Sequence, residues 1–342
     1  MESALQRRFG IIRTRRFTLT PPPPPIFKRG REFATLHRLL FHFDFHFMSN
    51  KPFKLAILTD EVSQELDAVI AFAKELHLDG IELRSLFGRA FKDLTNDDIQ
   101  LVGKAARDAG LAIAGCASPV FKCDLFSDTE IAQHRDLFKR AVETAVKLDA
   151  GMVRIFTFLR RGTHSEKDHL VRAADHIAEL LPIANDANVL IGVENEASCI
   201  AGSGPETQIV MERLPQNPRF GVVWDPCNVL YLEGTNDPVH EDFKTILPWL
   251  AHVHFKDAKR EGNQPAKTCI EIGTGQVDFP GQLKLLKDAG YHGWVTLETH
   301  WRSVALDAES QHLPAGYAFS ANAEPASRIC MGHLQRMIAA LN

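Results

Sequence analysis

Val189-Leu-Ile-Gly-Val-Glu-Asn-Glu196 is a short apolar stretch that ends in acidic residues, and Phe220-Gly-Val-Val-Trp-Asp-Pro-Cys-Asn228 repeats this pattern. An amphipathic stretch at about 206–214 lies between them. Buried, β-branched strands that alternate with amphipathic helices are typical of parallel β-sheets. The two stretches therefore predict one strand–helix–strand unit of an α/β protein.

The same alternation extends outward over most of the chain. Eight apolar stretches are predicted as strands: Lys54–Val62, Gly80–Arg84, Leu111–Pro119, Met152–Phe158, Val189–Glu196, Phe220–Asn228, Leu250–Ala258 and Trp294–Thr299. Helical periods fill the gaps at about 64–77, 95–109, 128–148, 165–187, 206–214, 239–248, 280–289 and 327–341. Eight strand–helix pairs predict a single closed (β/α)8 TIM barrel over residues 51–342. No GxGxxG motif follows the first strand, which disfavours an open dinucleotide-binding sheet.

Residues 1–50 differ from the rest of the chain. The first 47 contain nine Lys and Arg against three acidic residues, and they include the run Pro21–Pro25. No helical or strand period persists there, so we expect a disordered N-terminal extension. A start of the natural protein at Met48 is the favoured explanation. A transit peptide, or a tail whose prolines dock on an aromatic groove, is the alternative.

The composition excludes several classes of protein. Apolar residues make up 45% of the 342 and charged residues 24%, which is typical of a globular protein with a sizeable core. No apolar run is long enough to span a membrane. The overall net charge is −4, and residues 48–342 alone carry −10, which argues against binding nucleic acid through its phosphates. Six cysteines without a CxxC pair indicate reduced thiols and a cytoplasmic protein.

Residue types that bind metals stand where four consecutive predicted strands end. They are Glu194, Asp225, His254 and Glu298. Because active sites of such barrels lie at the carboxyl ends of the strands, these side chains can converge on one divalent cation. Three carboxylates and one imidazole suit Mn²⁺, Mg²⁺, Co²⁺ or Zn²⁺, and the lack of thiolates disfavours a structural zinc site. Any one of them taken alone is more often a helix cap or a solvated loop residue.

Other side chains near the strand ends are candidates for substrate binding. Glu82, Arg84 and Arg154 can bond hydroxyls or a phosphate, with ion pairs at the barrel rim as the alternative. Lys256 can contact substrate or pair with a nearby acid. His252 is also a candidate for substrate contact. Because it shares a face of the strand with His254, the alternatives are that it supports His254 or packs in the core. The loop at 273–275, Gly-Thr-Gly, can bind a phosphate or merely turn the chain.

Five motifs, taken in order, carry a resemblance to a known family. They are Val193-Glu-Asn-Glu196, Trp224-Asp-Pro-Cys-Asn228, His252-Val-His-Phe-Lys-Asp257, Gly273-Thr-Gly-Gln-Val-Asp-Phe279 and Gly290-Tyr-His-Gly-Trp-Val-Thr-Leu-Glu298. Over about 54–302 the chain resembles the xylose-isomerase-like TIM barrels of the sugar phosphate isomerase/epimerase family. Ketose 3-epimerases, hydroxypyruvate isomerases, inosose dehydratases and a DNA-repair endonuclease branch belong to this group. The resemblance implies that Glu194, Asp225, His254 and Glu298 ligate the catalytic metal.

The chain departs from one feature of the family epimerases. These commonly have a histidine that contacts substrate at the position of Asn228. We therefore count Asn228 among the substrate-binding candidates, while a simple ketose 3-epimerase is disfavoured. The endonuclease branch is disfavoured as well, because residues 48–342 lack its basic DNA-binding face and its richer set of metal ligands.

Together these observations predict a metal-dependent isomerase or epimerase of a sugar, keto-sugar or sugar phosphate. A metal would stabilise the enediolate, and Glu194 and Glu298 would transfer the proton. A lyase or dehydratase on a keto-sugar or inosose needs the same groups and is the first alternative. A barrel that binds a metal or ligand without catalysis is the second. We expect no nucleic-acid or membrane partner. Barrels of this kind often form homo-oligomers, although the sequence carries no interface signature.

Overall fold

The computed structural model describes residues 51–162, 166–234, 237–304 and 320–341. The predicted N-terminal extension, residues 1–50, lies outside this part of the chain. Eight parallel strands form one sheet: β1 (Lys54–Ile57), β2 (Gly80–Leu83), β3 (Ala112–Ala117), β4 (Met152–Ile155), β5 (Leu190–Glu194), β6 (Phe220–Trp224), β7 (Leu250–Phe255) and β8 (Trp294–Leu297). Their number and order match the sequence prediction.

The sheet closes into a barrel. Each strand pairs with its neighbours in the order β1, β8, β7, β6, β5, β4, β3, β2. Lys54 pairs with Trp294 to join β1 to β8, and a parallel bridge from Leu58 to Glu82 connects the other side of β1 to β2. The eight-stranded parallel arrangement confirms the predicted (β/α)8 TIM barrel.

Helices cover the outside of the sheet. The α-helices described are α1 (Leu66–Glu75), α2 (Asn96–Asp108), α3 (Asp128–Leu148), α4 (Lys167–Ala178), α5 (Leu181–Ala187), α6 (Gly204–Arg213), α7 (Pro226–Leu230), α8 (Phe243–Ile246), α9 (Phe279–Asp288) and α10 (Ala323–Ala339). Each of the longer helices buries one apolar face, such as Val69, Phe72 and Ala73 of α1. The predicted helix at 165–187 is two helices, because Pro182 stands at the start of α5 and cannot continue the bonds of α4.

The strands are shorter at their carboxyl ends than the sequence predicts. Thr59–Glu61 is a turn of 3₁₀-helix after β1, and the predicted strand residues 226–228 belong to α7. Asp225 ends β6 because its side chain accepts the Cys227 N–H and caps α7. The polar residues after each strand therefore turn into the loops above the barrel, where they can surround a ligand.

The core is continuous between the barrel and its helices. Its largest buried side chains include Trp224 of β6, Phe255 of β7 and Phe138 of α3. All six cysteines are free thiols, as the absence of paired spacings predicts. None of the helices in the described segments has the length and apolar character that a membrane crossing needs.

Candidate metal and substrate site

Four consecutive strands place the predicted metal ligands at one end of the barrel. Glu194 is the last residue of β5, Asp225 follows β6, His254 lies in β7 and Glu298 follows β8. One ligand atom each of Glu194, His254 and Glu298 lie within 4.8 Å of one another, and all three side chains are buried. Asp225 is also fully buried, but it is joined to this group through Lys256.

Lys256 links two of the predicted ligands. It follows His254 by two residues, and its Nζ contacts the Asp225 carboxylate and lies 2.6 Å from Glu298 Oε2. Burial alone would lower the pKa of Lys256, but Asp225 and Glu298 raise it well above its usual value. The structure thus contains the ion pair that was the alternative to a substrate contact. Substrate contact by Lys256 stays a prediction.

The buried carboxylates repel one another. Burial, together with the nearby Glu298 and Glu194 carboxylates, raises the pKa of Asp225 to about 7 against the opposing effect of Lys256. A divalent cation would relieve this repulsion, because it would bring positive charge to a site with three buried carboxylates. The charge of the site therefore fits the predicted metal.

His254 stands between two carboxylates. Its Nδ1 lies 3.1 Å from Glu194 Oε1, and its Nε2 lies 3.1 Å from Glu82 Oε1. Burial would lower the pKa of His254, but Glu82 and Glu194 together raise it to about 10. A carboxylate behind an imidazole is the usual support of a metal-binding histidine.

Glu82 and His252 lie beneath the site. The second oxygen of Glu82 is 2.8 Å from His252 Nε2, which is itself 2.9 Å from Thr296 Oγ1. Burial opposes ionisation of Glu82, but the two histidines hold its pKa well below the usual value. Glu82 and His252 are almost completely buried and do not line the cavity described below, so they lie beside His254 outside that cavity, and a substrate contact by either stays a prediction.

Arg84 binds three carboxylates at the end of β2. Its Nε is 2.9 Å from both oxygens of Asp60, its Nη2 is 2.8 Å from Glu61 Oε1, and its Nη1 contacts Glu298. His300 Nε2 lies 3.2 Å from Glu61 Oε1 and 3.4 Å from Glu298 Oε1. The rim ion pairs that were the alternative for Arg84 are therefore present, and they fix the position of Glu298.

A cavity of about 420 Å³ opens above these groups. This volume is within the range of small-molecule sites. Glu194, Glu298, Arg84 and Arg154 line it, and so do further residues of the strand ends and of α3: Asp60, Ser85, Ala90, Phe91, Lys92, Ala117, Pro119, Lys122, His134, Leu137, Phe156, Glu196 and His300. Both predicted proton-transfer carboxylates thus face the space in which a substrate can bind.

Asn228 has a different environment from the one predicted. Its Nδ2 donates to the backbone oxygen of Asn195 at 2.7 Å, and its side chain does not line the cavity. The side chain of Asn195 in turn accepts the backbone N–H of Asp225, and its Nδ2 donates to the backbone oxygens of Asp225 and Gly202. The two asparagines connect the loops after β5 and β6, and a substrate contact by Asn228 stays a prediction.

The loop at 273–275 is a turn closed by a carboxylate. The N–H groups of Gly273 and Gly275 each donate to Asp257 Oδ2 at 2.9 Å. These two donors are therefore already used, and the structure supports the turn rather than the phosphate alternative.

Several residues of the site gave no signal in the sequence. Asn195 is an ordinary loop amide beside a predicted ligand, and His134 lies within a long amphipathic helix. Phe156 follows β4 and has the character of a core residue. Their part in the site depends on contacts between distant segments, which no local spacing reveals.

The fold and the predicted metal ligands are typical of one class of protein. The chain belongs to the xylose isomerase-like TIM barrel family, whose sequence model matches residues 70–322.

Two curated relatives are inosose dehydratases. The one from Serratia proteamaculans (strain 568) is 27% identical over 142 residues, which are 37% of this chain and 46% of that protein. The one from Klebsiella pneumoniae subsp. pneumoniae is 30% identical over 112 residues, 28% of this chain and 38% of that protein. The chain spans less than half the length of these curated relatives.

Solved structures share the whole barrel. The IOLI protein with a bound zinc atom matches with a TM-score of 0.66 at 16% identity. The match covers 84% of this chain and 99% of the IOLI chain. The D-allulose 3-epimerase from Methylomonas sp. in complex with D-allulose matches with a TM-score of 0.59 at 16% identity. This match covers 82% of this chain and 96% of the epimerase chain. At such identities the likeness establishes the fold.

Proposed function

We propose that this protein is a divalent-metal-dependent enzyme that isomerises or epimerises a sugar or sugar phosphate by proton transfer next to a carbonyl. The observation that carries the proposal is the convergence of Glu194, His254 and Glu298, whose ligand atoms lie within 4.8 Å of one another. Glu194 and Glu298 also line the cavity, so the same carboxylates can serve the metal and the substrate.

The ligands of the metal would be Glu194, Asp225, His254 and Glu298. Buried carboxylates and an imidazole supported by Glu82 suit Mn²⁺, Mg²⁺, Co²⁺ or Zn²⁺. When bound, the cation would polarise the substrate carbonyl and stabilise the enediolate as a Lewis acid. Lys256 would then hold Glu298 and Asp225 in place from the side.

Glu194 and Glu298 would move the proton. Burial disfavours their ionised forms, but Arg154 and His254 hold the pKa of Glu194 below its usual value, and Lys256, His300 and Arg84 hold that of Glu298 well below. Both carboxylates are thus ionised at neutral pH and available as bases. Removal by one and return by the other would give an epimer. Removal from one carbon and return to the neighbouring carbon on the same face would give the aldose–ketose isomer.

A dehydratase is the second candidate. The curated relatives named above are inosose dehydratases, and loss of a β-hydroxyl from the same enediolate needs the same base and metal. Product analysis separates the two proposals, since only the lyase releases water and leaves a product that is lighter by one water.

Metal content and solvent exchange test the proposed function. Purified wild type should bind one divalent ion per chain, and Glu298→Gln should lose most of it, while the exposed Glu212→Gln on α6 should not. NMR in D₂O with ketoses, inososes and 3-keto-sugars should show deuterium entering the carbon next to the carbonyl only with metal-loaded wild type. A metal-loaded protein that exchanges no deuterium with any of these sugars would support the non-catalytic barrel instead.

We also propose that residues 51–342 form the functional barrel and that 1–50 are not required for it. Deletion of residues 1–47 should leave the unfolding temperature and the metal content unchanged. A deletion variant that fails to fold or loses its metal would contradict this.

A further inference from the structure

One end of the cavity has a character of its own, distinct from the carboxylate end. Lys122 follows β3, His134 lies on α3, and Arg154 and Phe156 lie in and after β4. None of these side chains belongs to the predicted metal ligands. Together we call them the β3–β4 wall.

Two cations of the wall stack on one aromatic ring. The Arg154 guanidinium carbon is 4.1 Å from the centre of the Phe156 ring, and Lys122 Nζ is 4.7 Å from the same centre. Placing two like charges on one ring is unfavourable unless anions lie nearby. The closest acid of Lys122 is Glu196 at 3.7 Å, a distance longer than a hydrogen bond.

Arg154 keeps an unused donor. Its Nη1 is 2.9 Å from Glu194 Oε2, but its Nε is buried and has no hydrogen-bond partner among the described residues. The side chain is only 6% exposed and lines the cavity. Since buried donors are nearly always paired in native proteins, the hydrogen bonding of this guanidinium is incomplete, in a side chain that lines the cavity.

His134 presents a second donor. Phe121 donates its backbone N–H to His134 Nδ1 at 2.8 Å, so the neutral imidazole carries its proton on Nε2. Burial lowers the pKa of His134, which favours this neutral form. Phe121 adopts the left-handed conformation, with φ of 61°, that a bulky side chain rarely has. Among the described residues no partner accepts from Nε2, although His134 lines the cavity.

We infer that the β3–β4 wall binds an oxyanion of the substrate, either a carboxylate or a phosphate. Arg154, Lys122 and His134 provide donors from three elements of the fold, and guanidinium groups bind such anions with charge-assisted hydrogen bonds. With Glu194 engaged at the metal, Glu196 alone cannot balance both cations. The inference rests on the proposed function for the sugar part of the substrate, and it specifies an anionic keto-sugar.

Three sugars that differ at one carbon test this subsite. D-fructose, D-fructose 6-phosphate and D-fructuronate carry a hydroxyl, a phosphate and a carboxylate at C6. Titration calorimetry on the full metal-loaded chain should give at least about tenfold tighter binding for one or both anions than for D-fructose. Preference for the phosphate or for the carboxylate identifies the source of the oxyanion. Equal affinity for all three sugars would overturn the inference, and so would a failure of all three sugars and of inorganic phosphate to bind.

Variants of the wall make the test specific. Lys122→Gln and His134→Phe should each weaken binding of the preferred anion about tenfold, lower the D-fructose affinity much less, and leave the metal content unchanged. His134→Phe also removes the acceptor of the Phe121 N–H and can disturb the fold. Lys122 is partly exposed, so Lys122→Gln is the variant that preserves the fold. Lys104→Gln, on an exposed lysine of α2, is the matched control. Unchanged anion binding in Lys122→Gln would refute the subsite.

Inorganic phosphate separates this inference from the proposed function. If phosphate binds wild type and is lost in Lys122→Gln while no sugar exchanges deuterium, the subsite stands and the proposed function fails. If sugars exchange deuterium but the anions bind no better than D-fructose, the proposed function stands and the subsite fails.

Discussion

The Nζ of Lys256 lies 2.6 Å from Oε2 of Glu298 and also donates to the carboxylate of Asp225. Both carboxylates are predicted metal ligands, and all three side chains are buried. At the proposed site, a lysine and a divalent cation would therefore interact with the same two acids. The metal affinity would then depend on the lysine charge as well as on the proposed ligands.

Replacing Lys256 by methionine should destabilise the metal-free protein. Asp225 and Glu298 would lose their counter-charge in a buried place, and breaking such a pair costs about 3–5 kcal/mol. Bound metal should then stabilise Lys256→Met more than it stabilises wild type, because the cation replaces the missing charge. Thermal unfolding with chelator and with Mn²⁺ measures both effects. Lys284→Met, at an exposed ion pair on α9, is the control, and an equal metal-induced shift in Tm for Lys256→Met and wild type would contradict the prediction.

Glu82→Gln should weaken metal binding although Glu82 is not a predicted ligand. Each oxygen of Glu82 faces a histidine, and an amide offers an acceptor to only one of them. Loss of such support typically lowers metal affinity about 10- to 100-fold. Competition with a chelator of known affinity measures the metal affinity of the variant and of wild type. Glu271→Gln removes the partner of His333, a pair outside the cavity lining and the predicted ligands, and should leave metal affinity unchanged. A wild-type affinity in Glu82→Gln would show that His254 needs no support.

The barrel could be predicted because its signal is local. Each apolar stretch and each amphipathic period lies within one segment, so the eight units are visible in the sequence alone. The strand ends could not be predicted in the same way. Residues 226–228 were predicted as strand, but Asp225 caps a helix there through the Cys227 N–H. A side chain that bonds its own backbone competes with the sheet, and propensity does not decide the outcome.

The site was predictable only where a residue type stands at a strand end. Glu194, His254 and Glu298 meet as the pattern predicts, since parallel strands bring their carboxyl ends together. The partners were not predictable. Glu82 meets His252 and His254 from the other side of the barrel, and His134 reaches the cavity from α3. Such contacts depend on the closed barrel and leave no spacing in the chain.

Glu206 should stabilise the loop above β5 in a pH-dependent way. Its carboxylate pairs with Arg160 at 2.6 and 3.0 Å and accepts the N–H groups of Gly202 and Ser203. Burial opposes ionisation, but Arg160 and these N–H groups hold the pKa of Glu206 below its usual value. A lowered pKa stabilises the fold above the unfolded-state pKa of 4.5, and this stabilisation is lost as the pH falls through the folded-state pKa.

Glu206→Gln should therefore lower the free energy of unfolding by about 1–3 kcal/mol at pH 7. The difference from wild type should shrink as the pH falls below 4.5, where the unfolded-state carboxyl begins to protonate. Urea unfolding at pH 7 and at pH 4 measures it. Glu212→Gln on the exposed side of α6 should have little effect at either pH. If the loss of unfolding free energy in Glu206→Gln, relative to wild type, were larger at pH 4 than at pH 7, this account would be contradicted.

Gly275→Ala should destabilise the loop after β7. A Cβ at Gly275 would clash with the Asp257 carboxylate and lie 2.5 Å from the oxygen of Ala258. That carboxylate accepts four backbone N–H groups, from Ala258, Gly273, Gly275 and Val277, so it cannot move without breaking several bonds.

We expect a loss of about 2 kcal/mol in the free energy of unfolding, the typical cost of forcing an extra methyl into a packed region. Gly151→Ala is the matched control, because a Cβ there meets no atom within 4 Å and the residue lies outside the left-handed region. That variant should be neutral or slightly stabilised, since alanine restricts the unfolded chain. Urea unfolding of the two variants measures the difference, and equal stability would mean that the loop can open around Asp257 at little cost.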